Sequence, residues 1–259
     1  MKATFLVPTL GNRKVEIVRL LNSLQNQSYK NFEVIFISQD NHESLEELIG
    51  MYTSIDIKQL KSYEKGISVA RNVGLKVAQG DIIVLSDDDC WYPIDAMKDI
   101  VDIFSKERSA KIILTQIFDK ENNVMYKNYP NDKKYINYKL QLMSKSSIEI
   151  AYKRKEMVHN NFDERFGIGA EFICGEEVDF LLRNLSRNAI FYSPTVTVYH
   201  AQKTKRGSKK QIIAKGALYR KNYIFLICLV VLVRDLLKKG EVNFKLFFKG
   251  YCEYAKKRY

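Results

Sequence analysis

Apolar and polar positions follow two alternating patterns through the first 120 residues. Short apolar runs, typical of buried strands, are separated by stretches in which apolar residues recur every three or four positions, as in amphipathic helices. The predicted strands cover residues 3–7, 33–38, 55–60, 81–86 and 111–117, and the predicted helices begin near residues 15, 44, 66 and 94. Strands that alternate with short helices form right-handed βαβ units, so the pattern predicts an α/β fold with a mostly parallel sheet.

Polar residues follow three of these strands. Pro8 and Thr9 follow the first strand, Asp40 follows the second, and three aspartates, residues 87–89, follow the fourth. Ligands of such sheets bind beyond the carboxyl ends of the strands. We therefore expect these side chains to converge on one edge of the sheet.

The three consecutive aspartates need a compensating charge. In an extended chain Asp87 and Asp89 point to the same side, and their carboxylates repel each other. A divalent cation compensates this repulsion, and Mg²⁺ or Mn²⁺ is typically held by one or two carboxylates together with substrate phosphates. The alternative interpretation is a solvated turn whose carboxylates cap the next helix.

The helix before the aspartates is a second candidate binding element. It starts at Gly66, and Arg71 follows about one turn later. Backbone amides at a helix N-terminus and a guanidinium group both bind diphosphates. The alternative for Arg71 is an exposed position on the helix surface.

Five segments occur in a fixed order in the first 200 residues: FLVPT, NFEVIFISQD, GISVARNVGLKVAQGDIIVLSDDDCWYP, FGIGAEFICGEEVDFLLR and VYH. In order and spacing they resemble the family 2 glycosyltransferases with the GT-A fold. The resemblance implies a mostly parallel central sheet flanked by helices. It also implies an inverting enzyme that moves one sugar from a nucleotide-sugar donor to an acceptor hydroxyl with the help of Mn²⁺ or Mg²⁺.

The resemblance also implies roles for individual residues. Asp89 corresponds to the metal-binding position of the family's DXD motif, and Asp87 to the position that contacts the nucleotide sugar and is expected as a further metal ligand. His200 stands where many members have a histidine that completes the metal site. The expected donor-binding residues are Pro8, Thr9, Asp40, Gly66, Arg71, Asn72, Asp87 and Asp88.

The segment GEEVDF resembles the family's GED motif, which carries the catalytic base. Glu177 is the first choice for this base and Glu176 the second, because an inverting transfer needs a general base within hydrogen-bond reach of the acceptor hydroxyl. These carboxylates also fit the acidic first turn of a helix, which is the structural alternative. Asp179 and Trp91 are expected to bind the acceptor.

The sequence departs from the family pattern at three points. Gln39 precedes Asp40 where the family usually has two acidic residues, and the base position holds Glu177 rather than an aspartate. No QxxRW-like segment is present, and the only tryptophan is Trp91. A processive polymerase is therefore not expected.

The basic charge is concentrated at the C-terminus. The chain carries a formal charge of +12, and residues 201–259 hold 16 Lys and Arg against 3 Asp and Glu. Within them the apolar run Tyr223–Val233 is too short to span a bilayer as a helix. It predicts either a buried helix or a segment in the interface of an anionic membrane. We therefore predict a catalytic domain over residues 1–202 and a basic, partly apolar helical appendage over residues 203–259.

Composition excludes several other classes of protein. With 46% apolar residues, 12 Gly, 4 Pro and 4 dispersed Cys, the chain is neither disordered, collagen-like nor a disulfide scaffold, and no cysteine pair has the spacing of a zinc finger. The N-terminus lacks the pattern of a signal peptide, so we expect a protein at the cytoplasmic face of the membrane, acting on a polyprenyl-diphosphate-linked saccharide. The alternatives are a nucleotidyltransferase and a basic membrane- or nucleic-acid-binding protein, although no nucleic-acid partner is expected.

Overall fold

The computed structural model describes residues 1–202, 208–239 and 243–256. Its strands are β1 (Ala3–Thr9), β2 (Phe32–Ser38), β3 (Asp56–Lys61), β4 (Ile82–Leu85), β5 (Ile112–Asp119), β6 (Val124–Met125), β7 (Lys134–Ile136), β8 (Ile150–Lys153) and β9 (Ile190–Tyr199). Its α-helices are α1 (Lys14–Gln25), α2 (His42–Gly50), α3 (Ile67–Val77), α4 (Ala96–Lys106), α5 (Glu176–Arg183), α6 (Lys209–Asn222), α7 (Phe225–Lys239) and α8 (Phe244–Lys256).

The strands form one mixed sheet in the order β3-β2-β1-β4-β8-β5-β9-β7, with β6 paired to β5. Strands β3, β2, β1 and β4 are parallel, as the alternating pattern predicts. Strand β8 is antiparallel to both of its neighbours, β4 and β5, and β7 is antiparallel to β9. The predicted α/β fold is thus confirmed, with an antiparallel insertion in the second half of the sheet.

The sequence pattern does not predict β6, β7, β8 or the start of β9, which all lie after the last strand predicted above. Strands β6, β7 and β8 have only two to four residues. A segment of that length is too short to show the two-residue alternation by which strands are recognised. Tertiary pairing with β4, β5 and β9 therefore determines these strands, not the local pattern.

The described part of the C-terminal appendage packs against the rest of the chain. Tyr219 and Phe247 belong to the same buried cluster as Phe166 and Phe180 of the preceding 202 residues. Helices α6 and α8 approach so closely that a Cβ atom on Gly216 would overlap the backbone carbonyl of Phe247. The division of the chain at residue 202 stays a prediction, since the two parts share this core.

Helix α7 is the exception, because much of its apolar side-chain surface faces solvent. Cys228 and Leu232 are buried, whereas Leu226, Val230 and Val233 are between 54% and 72% exposed. In the described ranges, no helix has both the length and the apolar character needed to cross a bilayer.

Candidate active site

A cavity of about 460 Å³ lies at the carboxyl ends of β1, β2 and β4. Its walls come from the segments after these three strands, from the start of α3 and from the loop around Gly169. The predicted site residues that line it are Pro8, Thr9, Asp40, Gly66, Asp87, Asp88 and Asp89. The expected convergence on one edge is therefore found, although β1 extends two residues further than predicted and includes Pro8 and Thr9.

Asp88 is the buried member of the three aspartates. Its carboxylate accepts hydrogen bonds from Thr9 Oγ1 at 2.6 Å and from Arg13 Nη1 at 3.0 Å. Burial raises the pKa of Asp88, while the Thr9 hydroxyl and the Arg13 charge oppose this shift. These contacts fasten the loop after β1 to the turn after β4.

Arg13 is a site residue that sequence reasoning misses. The same Nη1 that bonds Asp88 also lies 2.6 Å from Asp89 Oδ2, and the side chain is half exposed at the cavity wall. The sequence signal is the segment after β1, residues 11–14, in which a glycine and two basic residues faintly suggest a nucleotide-binding loop. In the structure this guanidinium partly neutralises two of the three aspartates.

Asp89 and His200 form the candidate metal site. His200 Nε2 lies 3.1 Å from Asp89 Oδ1, and His200 Nδ1 lies 2.6 Å from the carbonyl oxygen of Ala201. Because that carbonyl can only accept, Nδ1 must donate, and in the neutral ring Nε2 then presents a lone pair to the carboxylate. Two acceptors at this distance need a cation or a proton between them.

This pair fits Mn²⁺ or Mg²⁺ bound together with a substrate, not an all-protein cage. Within the described ranges, no three His, Cys, Asp or Glu side chains gather closely enough to hold a metal alone. Carboxylate oxygen and imidazole nitrogen suit these cations, which usually complete their coordination with phosphate oxygens and water. Asp87, the third predicted ligand, directs Oδ1 towards Arg71 at 3.3 Å.

Arg71 is fully buried, so the alternative of an exposed helix position is wrong. Its Nη2 lies 3.3 Å from Asp87 Oδ1, and its Nη1 lies 3.2 Å from Glu176 Oε1. The guanidinium does not line the cavity but joins the end of β4 to the start of α5. Its direct contact with a donor diphosphate stays a prediction; the observed contacts hold two carboxylates in place.

Asn72 and the first amide of α3 also have protein partners. The Asn72 side chain bonds the backbone N–H and carbonyl of Phe162 and the carboxylate of Glu164. The N–H of Ile67 donates to the carbonyl of Ile168 at 2.9 Å. Both groups therefore anchor the segment 162–169 against α3 and are not directed into the cavity.

Gly167 permits this close contact. Its φ of +111° favours glycine, and a Cβ atom there would lie 2.5 Å from the side chain of Ile67 and 3.3 Å from the carboxyl carbon of Glu176. The segment can thus lie directly on the start of α3 and beside the acidic turn of α5.

Glu176 and Glu177 begin α5, as the acidic-turn pattern predicts. Glu176 is buried against Arg71, and Glu177 is partly exposed. Burial and the neighbouring charge of Glu176 raise the pKa of Glu177 well above its usual range. A carboxylate with a raised pKa is a stronger proton acceptor once ionised, which suits a general base.

The two expected acceptor-binding residues lie in different surroundings. Asp179 is fully buried and bonds Arg183, Lys221 and Asn222, so it joins α5 to α6. Trp91 is nearly buried beneath the guanidinium of Arg19, which lies 3.6 Å from its ring centroid. Neither side chain lines the cavity described above.

The donor-side loop after β2 carries the Gln39–Asp40 departure. Gln39 is buried and donates to the carbonyls of Glu64 and Gly66, whereas Asp40 is exposed and pairs with Lys65 at 2.9 Å. The hydrogen bond from Lys65 lowers the pKa of Asp40. Gln39 thus orders the loop before α3, and of these two residues only Asp40 presents a carboxylate to the cavity.

Comparison with known proteins decides the family. Residues 4–166, well over half of the chain, match glycosyl transferase family 2. The chain belongs to this family. The predicted resemblance is thereby confirmed, and the match covers the cavity residues up to Asp89 together with Arg71.

Curated relatives of this family 2 chain are glycosyltransferases of bacterial origin. An uncharacterized glycosyltransferase of Haemophilus influenzae is 34% identical over 92 residues, which is 35% of this chain and 30% of that protein. The poly(ribitol-phosphate) β-N-acetylglucosaminyltransferase TarS of Staphylococcus aureus is 27% identical over 119 residues, 44% of this chain and 21% of TarS. The GalNAc(5)-diNAcBac-PP-undecaprenol β-1,3-glucosyltransferase of Campylobacter jejuni is 27% identical over 64% of this chain and 56% of its own length. The matches thus span between a fifth and just over half of these relatives.

Solved structures confirm the GT-A fold of the family 2 chain. The S. aureus TarS fragment 1–349 in complex with UDP-GlcNAc superposes with a TM-score of 0.68 at 15% identity, covering 99% of this chain and 81% of the fragment. The mannosyltransferase PcManGT of Pyrobaculum calidifontis, in complex with GDP-Man and Mn²⁺, gives a TM-score of 0.61 at 15% identity, covering 98% of this chain and 69% of that one.

One sequence-based hypothesis concerns residues that the structure does not describe. The basic loop that starts at position 203 is a candidate either for folding over the donor diphosphate or for an exposed linker, and positions 203–207 are not described. His200, immediately before it, is described and buried.

Proposed function

We propose that this protein is a metal-dependent, inverting glycosyltransferase that transfers one sugar from a nucleotide-sugar donor to a hydroxyl of a lipid-linked saccharide. The observation that carries the proposal is the Asp89–His200 pair at the edge of a cavity lined by Thr9, Asp40 and Asp87. A family 2 chain with this arrangement has a place for a nucleoside diphosphate and for the cation that such a diphosphate requires.

The donor would occupy the 460 Å³ cavity, a volume within the usual range for small-ligand sites. Pro8, Thr9 and Asp40 would contact the nucleoside, and Asp87 and Asp89 lie at the end where the sugar diphosphate would be held. The bound donors of the two superposed structures, UDP-GlcNAc and GDP-Man, support a nucleotide sugar as the ligand class.

Asp89 and His200 would hold Mn²⁺ or Mg²⁺, with Asp87 adjoining it. When bound, such a cation neutralises negative charge that develops on a departing diphosphate. Arg13, which shares the carboxylates of Asp88 and Asp89, would turn towards the donor phosphates as the cation takes its place. The Mn²⁺ in the PcManGT complex supports a divalent metal here.

Glu177 would act as the general base. Its carboxylate stands at the first turn of α5, beside Glu176, which Arg71 ties to Asp87. A base so placed would accept the proton of the acceptor hydroxyl as that oxygen attacks the anomeric carbon, and inversion follows from a single displacement.

The partner membrane would be an anionic surface at the cytoplasmic face. Leu226, Val230 and Val233 lie on one side of α7 at helical spacing and are exposed, while the surrounding appendage is strongly basic. An apolar face with flanking lysines binds the interface of anionic bilayers. The name of the C. jejuni relative, which contains a PP-undecaprenol acceptor, supports a polyprenyl-diphosphate-linked saccharide.

Isothermal titration with UDP, GDP and dTDP in the presence of Mn²⁺ tests the donor site. We expect one nucleotide to bind, with affinity lost on addition of EDTA and in Asp89→Asn. Asp132→Asn, which removes an exposed carboxylate far from the cavity lining, is the matched control and should bind normally. Failure of all three nucleotides to bind would contradict the proposed function.

Flotation with vesicles that contain anionic or only zwitterionic lipids tests the membrane surface. The full chain should float with anionic vesicles, and the double variant Leu226→Ser/Val230→Ser should remain largely in the soluble fraction. Val158→Ser removes an equally exposed apolar side chain elsewhere and should not change flotation. Equal flotation of all three proteins would contradict the role of α7.

A further inference from the structure

A second cavity, of about 800 Å³, lies in the other half of the sheet. It is bounded by the segment between β6 and β8, by β9 and by the start of α6. The side chains that matter for its chemistry are Lys127, Lys134, Lys145, Tyr129, Tyr192 and Gln211. We call it the lysine cavity.

The lysine cavity opens at the same edge of the sheet as the donor cavity. Strand β8 runs antiparallel to β4, with Val84 opposite Ala151, so the start of β8 lies at the carboxyl end of β4. Glu149, directly before β8, therefore stands at the edge that also carries Asp87. The ring of Tyr126, another wall residue, contacts the ring of His200 with centroids 5.6 Å apart. One side chain thus separates the lysine cavity from the candidate metal site.

The charges around this cavity do not balance. Three lysines line it, and one carboxylate, that of Glu149, lies buried beneath them. Lys127 bonds Glu149 Oε1, the carbonyl of Ser144 and the hydroxyl of Ser146. Glu149 Oε2 lies 3.8 Å from Lys145 Nζ and has no hydrogen-bond partner among the described residues. Two positive charges are left over at the wall.

Lys145 is held in an arrangement that suits an additional anion. Its side chain is 9% exposed, and its Nζ lies 4.9 Å from the ring centroid of Tyr192 and 6.0 Å from that of Tyr129. Burial lowers the pKa of Lys145, and the charge of Glu149 opposes this. An anion that entered the cavity would offset the unfavourable burial of this ammonium group.

The remaining walls suit a saccharide. Tyrosine rings offer flat apolar surfaces, and the amides and hydroxyls of Asn128, Gln141, Ser144 and Gln211 offer donors and acceptors for hydroxyl groups. Residues 138–140 connect the lysine cavity to the region of α7. Lys139 donates a hydrogen bond to the carbonyl of Asn222. Tyr138 lines a neighbouring surface depression together with Ile224 and Ile227.

We propose that the lysine cavity binds the acceptor through an anionic group, either a phosphate or a carboxylate, so that the substrate class is an anionic saccharide. This rests on the proposed glycosyltransferase function and adds to it the charge of the acceptor and the place where it binds. Lys134 and Lys145 contact the anion, and the tyrosines contact the sugar ring next to it.

The test compares three sugars that differ in one substituent: glucose, glucose 6-phosphate and glucuronate. Their binding to the full chain is measured by ligand-observed NMR with excess UDP, GDP, dTDP and diamagnetic Mg²⁺ present, so that the donor cavity is not available to them. Both anionic sugars should bind at least tenfold more tightly than glucose. The tighter of the two identifies phosphate or carboxylate as the recognised group.

Lysine variants locate the binding. Lys134→Gln removes an exposed wall charge and should weaken binding of the anionic sugars about fivefold, as expected for one lost charge near a protein surface. Lys133→Gln, the exposed neighbour outside the cavity, is the matched control and should bind as the wild type does. Lys145→Gln should weaken binding further; if it fails to fold, Lys134→Gln decides the result alone.

Two outcomes overturn the proposal: equal affinity for all three sugars, or affinities that Lys134→Gln leaves unchanged. In either case nucleotide binding by the same protein would still support the donor site. The opposite result is that no nucleotide binds, while anionic sugars still bind and Lys134→Gln still weakens their binding. It would contradict the glycosyltransferase function, and the lysine cavity would remain an anion site.

Discussion

The two halves of the sheet solve opposite electrostatic problems. In the parallel half, three aspartates crowd one strand end, and Thr9, Arg13 and Arg71 compensate them with hydrogen bonds and ion pairs. In the half that contains the antiparallel insertion, three lysines line a cavity, and the buried carboxylate of Glu149 pairs with two of them, Lys127 and Lys145. One edge of one sheet therefore has an acidic site beside a basic site.

In the proposed function, this difference corresponds to separate places for donor and acceptor. The aspartates would hold a metal-bound nucleoside diphosphate, and the lysines would hold an anionic saccharide. Arg71 connects the halves, because it holds Asp87 from the first and Glu176 from the second. Changes in one half should therefore spare ligand binding in the other, unless they involve Arg71 or the segment around Gly167.

The largest effect is expected from Asp89→Asn. Losing one of the two protein ligands at the candidate metal site should lower donor turnover at least a thousandfold, because stabilisation of the diphosphate is lost. Release of nucleoside diphosphate from the donor, with a membrane extract as acceptor source, measures this. Binding of anionic sugars in the lysine cavity should be unchanged; a parallel loss there would show that the halves are not separate.

Glu177→Gln should lower turnover by a factor of about 10² to 10⁴ with donor affinity retained, as is typical for loss of a general base. The wild-type rate should rise with pH, because the raised pKa of Glu177 keeps the carboxyl protonated, and inactive as a base, in more acidic solution.

Glu176→Gln should shift this rise of the rate to lower pH, since removal of the Glu176 charge lowers the pKa of Glu177. Rates measured from pH 5 to 9 check both variants. If Glu176→Gln abolishes turnover while Glu177→Gln does not, Glu176 is the base instead.

Arg71→Met should destabilise the fold by about 3 kcal/mol, because it leaves the buried Glu176 and the partly buried Asp87 without their shared cation. Urea unfolding measures the change in free energy of unfolding. Arg108→Met, at an exposed position on the loop after α4, should change it by less than about 0.5 kcal/mol. An equally small change for Arg71→Met would mean that its ion pairs contribute nothing to joining the halves.

Gly167→Ala should lower the free energy of unfolding by a smaller amount, about 2 kcal/mol. Its φ of +111° is strained for alanine, and the added methyl would press on Ile67 and Glu176. Thermal unfolding with and without nucleotide checks this. Gly50→Ala is the control. It replaces a glycine in helix α2, and a Cβ atom at this position would meet nothing within 4 Å. A Gly167→Ala protein as stable as the wild type would show that the segment 162–169 is free to shift.

The parallel half was predictable because its strands and helices are long enough to show their periods. The predicted and observed bounds of β2 and β3 differ by at most one residue at each end, and α3 begins one residue after its predicted start. The parallel direction of these strands and the convergence of the polar residues at one edge then follow from general rules for parallel sheets.

The lysine cavity was not predictable in the same way. Lys127, Lys145 and Glu149 lie in irregular segments and in a short 3₁₀ turn between strands of a few residues, where no pattern identifies neighbours. Arg71 illustrates a different difficulty. A charged residue on an amphipathic helix normally indicates an exposed face, and its burial is explained by tertiary contacts with Asp87 and with Glu176, which lies 105 residues further along the chain.

The close contact of α6 and α8 at Gly216 determines how the protein would sit on a lipid surface. Phe225, at the start of α7, packs against Tyr251 of α8, with ring centroids 5.8 Å apart, so the start of α7 is in contact with this helix pair. When the exposed face of α7 binds a bilayer as proposed, this contact would limit how far the rest of the chain can rotate relative to the bilayer. The mouths of both cavities would then keep a set height and tilt above the bilayer, and only acceptors whose saccharide extends to that height would reach Glu177.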